Sequence, residues 1–432
     1  MRFEGLRIGS PKRTKGIRDG WEGFFPYYAG FPEQFASDLL ASAKLSAEAV
    51  VLDPWNGSGT TTYSAARLGL KAIGVDINPV MVVVARARLL PSSEADSLLA
   101  AVSNIKSEVI RPRKIDSSDP LLDWFGPQTA NTIRFLEEGI RRTTVSYLTL
   151  TDHGVDLGRI SGLAAALYVA LFDACRQFTT KHRSSNPTWL RGPVVQANRI
   201  GIPASTIVER FVSNVRKMAA ALGRALPSLL TAHPGWQIDV ADSTTRAFPP
   251  SSIDCVLTSP PYCTRIDYTA ATRVELAVLA PLMNGTRGEL SRQMIGSVRV
   301  PQHAILPHDT WGATCLDFLN NVKNHKSKAS ATYYYRTHLD YFDKMARSMS
   351  VISSALKRNS IAIFVVQDSH YKEVHNDLPK IISEMALGYN LRLRRRVDFR
   401  STRSMARINR HTRLYGREAA PTEAVLCFEK VT

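Results

Sequence analysis

Two kinds of hydrophobic pattern alternate along the first part of the chain. The continuous apolar runs Ala49–Asp53 and Leu70–Ile77 are typical of strands buried on both faces of a sheet. Each run is followed by apolar residues at helical spacing, over Thr60–Leu68 and then from Pro79 to about Leu90. Proline at a first helical turn is favourable. The order strand, helix, strand, helix predicts a parallel sheet.

The same alternation returns after a long helical block. Between about residues 91 and 234 the apolar residues recur at helical spacing, and we interpret this stretch as an insertion. Beyond it the pattern predicts strands at Trp236–Val240, Ile253–Thr258, Ser360–Gln367, Tyr389–Phe399 and Glu423–Phe428, and helices at Ala271–Met283, Thr337–Leu356 and Asp377–Leu387.

These changes of character divide the chain into six parts. They are a basic arm at 1–21, the first half of the sheet domain at 22–90, the helical insertion at 91–234, a second half at 235–283, a polar segment at 284–331, and the rest of the sheet with an arginine-rich hairpin loop at 332–432.

Composition narrows the class of protein. Of the 432 residues, 44% are hydrophobic and 22% charged, which is ordinary for a globular protein and excludes a mainly disordered chain. The 55 Lys and Arg residues exceed the 38 Asp and Glu residues and leave a net charge of +17, which predicts a polyanionic partner. No apolar run approaches the ~18 residues of a spanning helix, so nucleic acid is favoured over a membrane.

Cysteine usage points to a reducing compartment. The five cysteines are scattered and form no CxxC pair, which predicts neither a disulfide framework nor a zinc site. We therefore expect a cytoplasmic protein without a bound metal.

The first candidate motif, DPWNGSGTT, lies between a predicted strand and a predicted helix. Gly57 and Gly59 allow a tight turn and close approach of a ligand to the backbone. Asp76 follows Gly57 by nineteen residues and ends the next strand, where a carboxylate can accept hydrogen bonds from ribose hydroxyls. Thr62 replaces the third glycine of dinucleotide-binding turns, and no GK[ST] follows. The pattern favours a nucleoside cofactor over a structural turn with a capping aspartate.

The second motif, TSPPY at residues 258–262, ends another predicted strand. Pro260 and Pro261 stiffen the loop because proline fixes its own φ and restricts the residue before it. The Ser259 hydroxyl and the Pro260 carbonyl can accept the two hydrogens of an exocyclic amine, while the Tyr262 ring stacks on the base.

Together the motifs resemble those of the amino-methylating DNA methyltransferases that use S-adenosylmethionine, the N4-cytosine and N6-adenine family. DPWNGSGTT is similar to their cofactor motif and SPPY to their catalytic motif. FPYYAGFPEQF (25–35) is similar to a segment that precedes the cofactor motif, although Phe25 and Gly30 stand where histidine and a basic residue are common. The resemblance covers about 22–90 and 236–432.

The resemblance implies an α/β fold of the class I methyltransferase type, a Rossmann-like mixed seven-stranded sheet with a helical insertion and a smaller recognition segment, for which 284–331 is the candidate. It makes 22–90 the cofactor-binding half and 235–283 the catalytic half. The implied catalytic residues are Ser259, Pro260, Pro261 and Tyr262. The implied residues for S-adenosylmethionine are Tyr27, Phe31, Asp53, Pro54, Trp55, Gly57, Gly59, Thr60, Thr61, Asp76, Ile77, Asp242 and Ser243.

The implied reaction is site-specific methylation of a flipped base in double-stranded DNA. Carbon-5 methylation is disfavoured because the chain has no Pro-Cys pair. Serine at position 259 favours cytosine N4, while adenine N6 methylation, RNA amino-methylation and a catalytically inactive nucleic-acid-binding protein remain alternatives. The resemblance also implies a bacterial or archaeal cytoplasm with activity at the nucleoid, and it leaves room for a cognate restriction or defence partner.

An arginine-rich stretch accounts for almost half of the net charge. Nine arginines and one acid, Asp398, lie within residues 392–413 and give +8. A solvated surface loop is the simpler interpretation, but this density beside an expected polyanion favours phosphate contacts. The predicted DNA-binding residues are Arg394, Arg396, Arg400, Arg403, Arg407, Arg410 and Arg413.

Overall fold

A computed structural model describes residues 2–12, 21–26, 30–107, 115–151, 154–182, 190, 192–193, 195–224, 235–264, 268–283, 287–301, 303–400 and 421–431. Its strands are β1 (Val50–Asp53), β2 (Lys71–Asp76), β3 (Leu150–Thr151), β4 (Gly154–Val155), β5 (Trp236–Val240), β6 (Ile253–Thr258), β7 (Leu356–Gln367), β8 (Ser369–Tyr371), β9 (Val374–Asn376), β10 (Leu391–Arg400) and β11 (Thr422–Lys430). Its α-helices are α1 (Trp21–Phe24), α2 (Glu33–Ser42), α3 (Thr60–Arg67), α4 (Pro79–Arg88), α5 (Ala95–Ser107), α6 (Pro127–Thr144), α7 (Gly162–Phe178), α8 (Ala204–Arg224), α9 (Arg273–Leu279), α10 (Arg287–Gln293), α11 (Ala313–Lys323), α12 (Tyr335–Ala355) and α13 (Leu378–Leu387).

Seven of these strands form one mixed sheet in the order β10-β11-β7-β6-β1-β2-β5. Strands β7, β6, β1, β2 and β5 are mutually parallel, whereas β11 runs antiparallel to both β7 and β10. The seven-stranded mixed sheet implied by the resemblance is confirmed. Because parallel strands end at the same edge, the residues that follow β1, β2, β5 and β6 meet there.

Both faces of the sheet are covered, which explains why its strands are continuously apolar. Successive residues of β1 point to opposite faces. Val51 packs in a buried cluster with Leu39 of α2, whereas Leu52 lies in a cluster with Met345 of α12. The arrangement is therefore a three-layer helix–sheet–helix stack. No helix in the described part of the chain is both long and apolar enough to cross a membrane.

The helical block docks on one side of this stack. Helices α5 to α8 share an apolar cluster with residues of α4 and α9. Arg86 of α4 donates a 2.8 Å hydrogen bond to the carbonyl of Ile160, and Arg134 of α6 donates a 2.7 Å bond to the carbonyl of Val278. These buried guanidinium contacts fix the block against the sheet domain.

Two expected element boundaries were wrong. Strand β7 begins at Leu356 rather than Ser360, because the backbone turns extended (ψ 134°) where helix α12 ends. Helix α9 covers only Arg273–Leu279 instead of Ala271–Met283, because 3₁₀ turns flank it at both ends and Pro281 lies in the second. Neither shift moves a residue of the candidate motifs.

Candidate active site

A cavity opens at the carboxyl edge of the sheet. It encloses about 960 Å³ of space between protein atoms, part of it open to solvent. Both motifs face this one cavity. The sequence-predicted residues that line it are Phe31, Asp53, Pro54, Trp55, Gly57, Thr60, Asp76, Ile77, Asp242, Ser243, Ser259, Pro260, Pro261 and Tyr262.

Two of the residues expected at the cofactor do not line the cavity and instead contact the elements next to the glycine turn. Thr61 donates a 3.0 Å hydrogen bond to the carbonyl of Leu257 and so ties α3 to β6. Gly59 has φ +79°, and a Cβ atom there would lie 2.7 Å from the Cβ of Ala85. Its role is therefore the close packing of α3 against α4. Tyr27 lies outside the described residues.

Asp76 holds the glycine turn in place. Its carboxylate accepts a 2.8 Å bond from the Gly57 amide and another of 2.8 Å from the Asn78 amide. Burial raises the pKa of Asp76 from 3.8 to about 6, although both amide bonds act in the opposite direction. A carboxylate has about four lone-pair sites. Two of them stay available to ligand hydroxyls.

Asp53 links the two motifs. At the end of β1, its Oδ1 accepts a 2.5 Å hydrogen bond from the Thr258 hydroxyl, at the end of β6, and a 3.1 Å bond from the Trp55 amide. The side chain is 3% exposed. Desolvation raises its pKa from 3.8 to about 6, while the hydrogen bonds it accepts lower the pKa.

Asn56 was missed in the sequence because an asparagine inside a turn carries no ligand signature. Its carbonyl accepts a 3.1 Å bond from Thr62, and its buried amide nitrogen has no hydrogen-bond partner among the described residues. The buried Trp55 indole nitrogen also lacks one. Buried donors are normally satisfied, so two free donors at a cavity wall indicate a polar ligand.

The SPPY loop is held from three directions. The Tyr262 amide donates to the Tyr268 hydroxyl at 3.1 Å, and the Tyr341 hydroxyl donates to the Pro261 carbonyl at 2.9 Å. The Tyr262 hydroxyl donates to Oε1 of Glu423, on β11, at 2.9 Å. Burial, followed by the nearby Glu423 charge, raises the pKa of Tyr262 well above its ordinary value. Tyr262 therefore stays a neutral phenol.

Comparisons with known proteins support the same family resemblance. Residues 5–86 match the family model N6_N4_Mtase, described as DNA methylase. The type II methyltransferase M.BsoBI from Geobacillus stearothermophilus is 24% identical over 274 residues, which cover 59% of this chain and 51% of that protein. The predicted resemblance to the amino-methylating DNA methyltransferases is confirmed. The chain spans about half the length of that curated relative.

Two solved methyltransferases are more distant. The rRNA methyltransferase aviRa from Streptomyces viridochromogenes is 12% identical with a TM-score of 0.28, over 94% of this chain and 87% of that one. A 16S rRNA (adenine(1408)-N(1))-methyltransferase from Catenulisporales acidiphilia is 10% identical with a TM-score of 0.19, over 50% and 71%. The fold assignment rests on the strand order of this chain.

The departures from the N6/N4 family pattern have local explanations. Phe25, at a position where histidine is common, is buried, and the guanidinium of Arg176 lies 4.1 Å from its ring centroid. Gly30, where a basic residue is common, has φ +101° and lines the cavity. Phe25 thus belongs to the core, whereas Gly30 and Phe31 line the cavity.

Several further cavity residues were not among the predicted site residues, although Ser58 lies inside the DPWNGSGTT motif. They are Ser58, Asn78, Met81, Ala241, Tyr268, Gln293, Met294 and Ile295. Gln293 ends helix α10, and Met294 and Ile295 follow it, inside the candidate recognition segment 284–331. That segment therefore reaches the cavity, which no spacing rule could have indicated.

The arginine-rich stretch is only partly described. Arg394 pairs with Glu429 at 2.5 Å and Arg396 with Asp398 at 2.8 Å, whereas Arg400 is exposed at the end of β10. Arg400 lies opposite Thr422, next to Glu423 and so at the cavity edge. The remaining predicted DNA-binding residues, Arg403, Arg407, Arg410 and Arg413, lie outside the described residues.

Substituting Asp53→Asn should stabilise the ligand-free protein above pH 6, because the raised pKa of Asp53 makes its ionisation unfavourable in the folded state. Stability from its bound proton is fully present below the unfolded pKa and is lost as pH rises through about 6. The gain in unfolding free energy should approach about 3 kcal/mol at pH 8 and vanish near pH 4. Urea unfolding at several pH values measures it. The exposed Asp317→Asn is the control, and a variant less stable than wild type at pH 8 would contradict the prediction.

Substituting Gly74→Ala should displace Asn56, because a Cβ atom at position 74 would lie 2.4 Å from the Asn56 amide nitrogen. We expect the unfolding free energy to fall by about 1–3 kcal/mol. The matched control is Gly223→Ala in α8, where a Cβ atom meets nothing within 4 Å. This control should be neutral or gain up to about 1 kcal/mol. Equal effects at both positions would show that Asn56 does not depend on Gly74.

Proposed function

We propose that the protein is a DNA methyltransferase of the N6/N4 type that transfers a methyl group from S-adenosylmethionine to the exocyclic amine of a flipped base, namely N4 of cytosine. The observation that carries the proposal is the single cavity lined by the glycine turn, Asp76, Asp242 and the SPPY loop. A cofactor site and an amine-binding loop that open into one space are what direct methyl transfer needs.

The cavity residues fit the cofactor. The carboxylates of Asp76 and Asp242 can accept hydrogen bonds from hydroxyl or amino groups, and the free amide nitrogen of Asn56 can donate one. Phe31 and Ile77 supply apolar wall for a base. S-adenosylmethionine supplies a methyl group on a positively charged sulfur, ready for attack by a nucleophile.

The SPPY loop suits an amine as that nucleophile. The Ser259 hydroxyl and the Pro260 carbonyl can hold the two amine hydrogens, which directs the nitrogen lone pair toward the methyl group. The neighbouring Cys263 is buried, and burial raises its pKa from 9.0 to about 12, so it stays a thiol. A protonated thiol is a poor nucleophile. These features support amine methylation over carbon-5 methylation.

The cytosine assignment depends on Ser259. A neutral hydroxyl at the first position of this motif is commoner among the N4-cytosine enzymes that the sequence resembles, and Asp or Asn is commoner among N6-adenine enzymes. Gln293 and Tyr268, which line the cavity, add amide and phenol groups suited to the edge of a flipped base.

DNA is the proposed polymer, and the charge distribution supports it. The net charge is +17, and Arg400 of the arginine-rich stretch is exposed at the end of β10, opposite Thr422. The similarity to a type II methyltransferase supports a role in restriction–modification in the bacterial cytoplasm, where a cognate nuclease would recognise the same site.

Incubation of plasmid DNA and total RNA with S-adenosylmethionine and the full chain, followed by mass spectrometry of the nucleosides, tests the proposal. N4-methylcytosine in DNA is the expected product. N6-methyladenine alone would overturn the cytosine assignment, and methylation of RNA alone would overturn the DNA assignment.

Tyr262→Ala should lose activity while calorimetry still detects cofactor binding, because Tyr262 belongs to the amine side of the cavity.

Replacing Arg403, Arg407, Arg410 and Arg413 with glutamine should weaken DNA binding and flatten its salt dependence. Each lost phosphate contact should reduce the slope of log K against log salt by about 0.9. Fluorescence anisotropy at several salt concentrations measures the slope. The matched control removes four cations from α8, at Arg210, Arg216, Lys217 and Arg224. An equal loss of slope in both variants would show that the effect is general charge rather than a specific DNA track.

A further inference from the structure

A row of polar side chains leads from the cavity to strand β11. Ser259 and Tyr262 both line the cavity, and the Ser259 hydroxyl acts on the Tyr262 phenol in the direction that lowers its pKa. The Tyr262 hydroxyl in turn donates to Oε1 of Glu423 at 2.9 Å. From the cavity outward, the order is a hydroxyl of the cavity wall, a phenol and a carboxylate.

The surroundings of Glu423 keep it a proton acceptor. The residue is 6% exposed, and burial raises its pKa, while the Lys12 ammonium acts in the opposite direction. The buried Lys12 nitrogen has no hydrogen-bond partner among the described residues and interacts electrostatically with Glu423 and Asp368. Asp368 itself pairs with His375 at 3.2 Å.

The neighbouring strands add no charge directly beside Glu423. Its partners in register are Phe399 on β10 and Gln367 on β7, both neutral, while Asp398 and Arg400 flank Phe399. Lys12, on the N-terminal arm, is therefore the cation that faces this carboxylate among the described residues.

The carboxylates of the cavity wall already hold backbone groups. Asp53, Asp76 and Asp242 each accept at least one backbone amide. The residues that line it include no histidine or lysine within the described ranges. An amine that gains a methyl group becomes strongly acidic and must lose a proton, so the wall needs an outlet for it.

We propose that Glu423 receives this proton through Ser259 and Tyr262. The inference rests on the proposed amine methylation and adds the route by which the reaction disposes of its proton. It gives the second residue of the last strand a part in a reaction otherwise assigned to the two motifs.

The methyl transfer and the proton transfer together account for every bond and proton. The amine lone pair forms the bond from nitrogen to the methyl carbon, and the bond from that carbon to sulfur breaks with both electrons left on sulfur. As the new bond forms, the amine proton moves to Oγ of Ser259, the Ser259 proton to the Tyr262 oxygen, and the Tyr262 proton to Oε1 of Glu423. After product release Glu423 returns the proton to solvent and the hydroxyls regain their starting state.

Glu423→Gln tests the route, because glutamine keeps a hydrogen-bond acceptor for Tyr262 but does not take up the proton. Single-turnover methylation should slow by about 100-fold, with DNA and cofactor affinities unchanged. The wild-type rate should fall at acid pH, where Glu423 is protonated, and this limb should disappear in Glu423→Gln. Tyr262→Phe combined with Glu423→Gln should be no slower than Tyr262→Phe alone, because both break one route.

Glu429→Gln is the matched control, since Glu429 lies on the same strand but pairs with Arg394. It should keep the wild-type rate and pH profile. A purely positioning role for Glu423 predicts that Glu423→Gln keeps both as well, and that result would overturn the proposal.

A second measurement does not need activity, so it separates this inference from the proposed function. In protein labelled at the tyrosine Cζ carbon, the Tyr262 signal, assigned with Tyr262→Phe, should shift as Glu423 titrates at acid pH. The shift should be absent in Glu423→Gln and present in Glu429→Gln. If the Tyr262 signal of the wild-type protein did not shift at acid pH, Tyr262 and Glu423 would not be coupled, and the proposed route would be excluded whatever base the enzyme methylates.

Discussion

The hydrogen bond from Thr258 to Asp53 is the contact on which the site depends. It joins residues 205 positions apart at the ends of two adjacent parallel strands, with a length of 2.5 Å. The register of β1 on β6, Val51 opposite Cys255 and Leu52 opposite Val256, sets this pairing. A slip of one residue would turn every side chain of the strand to the other face. The glycine turn and the SPPY loop would then no longer open into one cavity.

The same contact has an energetic cost. It buries a carboxylate, and desolvation leaves Asp53 and Asp76 with pKa values raised to about 6. Two buried donors at the same wall, on Trp55 and Asn56, have no hydrogen-bond partner in the described part of the chain. The apolar clusters that cover the two faces of the sheet, together with the cluster of the helical block, offset this cost. The site thus contains buried polar groups whose hydrogen-bonding capacity is not fully used. The surrounding apolar core holds these groups in place, as a preorganised polar site requires.

The sequence predicts those parts of the molecule that depend on neighbours along the chain. The period of the apolar residues gave the strands of the sheet to within a few residues, and strand–turn–helix order placed the motifs at the carboxyl edge. The sequence predicts less well which way a side chain points within a helical turn. Thr60 lines the cavity, whereas Thr61, the next residue of α3, hydrogen-bonds to β6. Glu423 was beyond reach because 161 residues separate it from Tyr262 and only the folded sheet brings them together.

The reversed direction of β11 explains how the last strand comes to serve the site. In the parallel strands the carboxyl ends lie at the cavity edge, but an antiparallel strand places its first residues there. Thr422 and Glu423 begin β11, so the strand enters the sheet beside the SPPY loop, directly opposite the exposed end of β10 at Arg400. One topological feature therefore brings the buried carboxylate of Glu423 to Tyr262 of the SPPY loop and places Arg400 and Thr422 at the same edge. If β11 ran parallel to β7, its first residues would lie at the opposite edge of the sheet, away from this cavity.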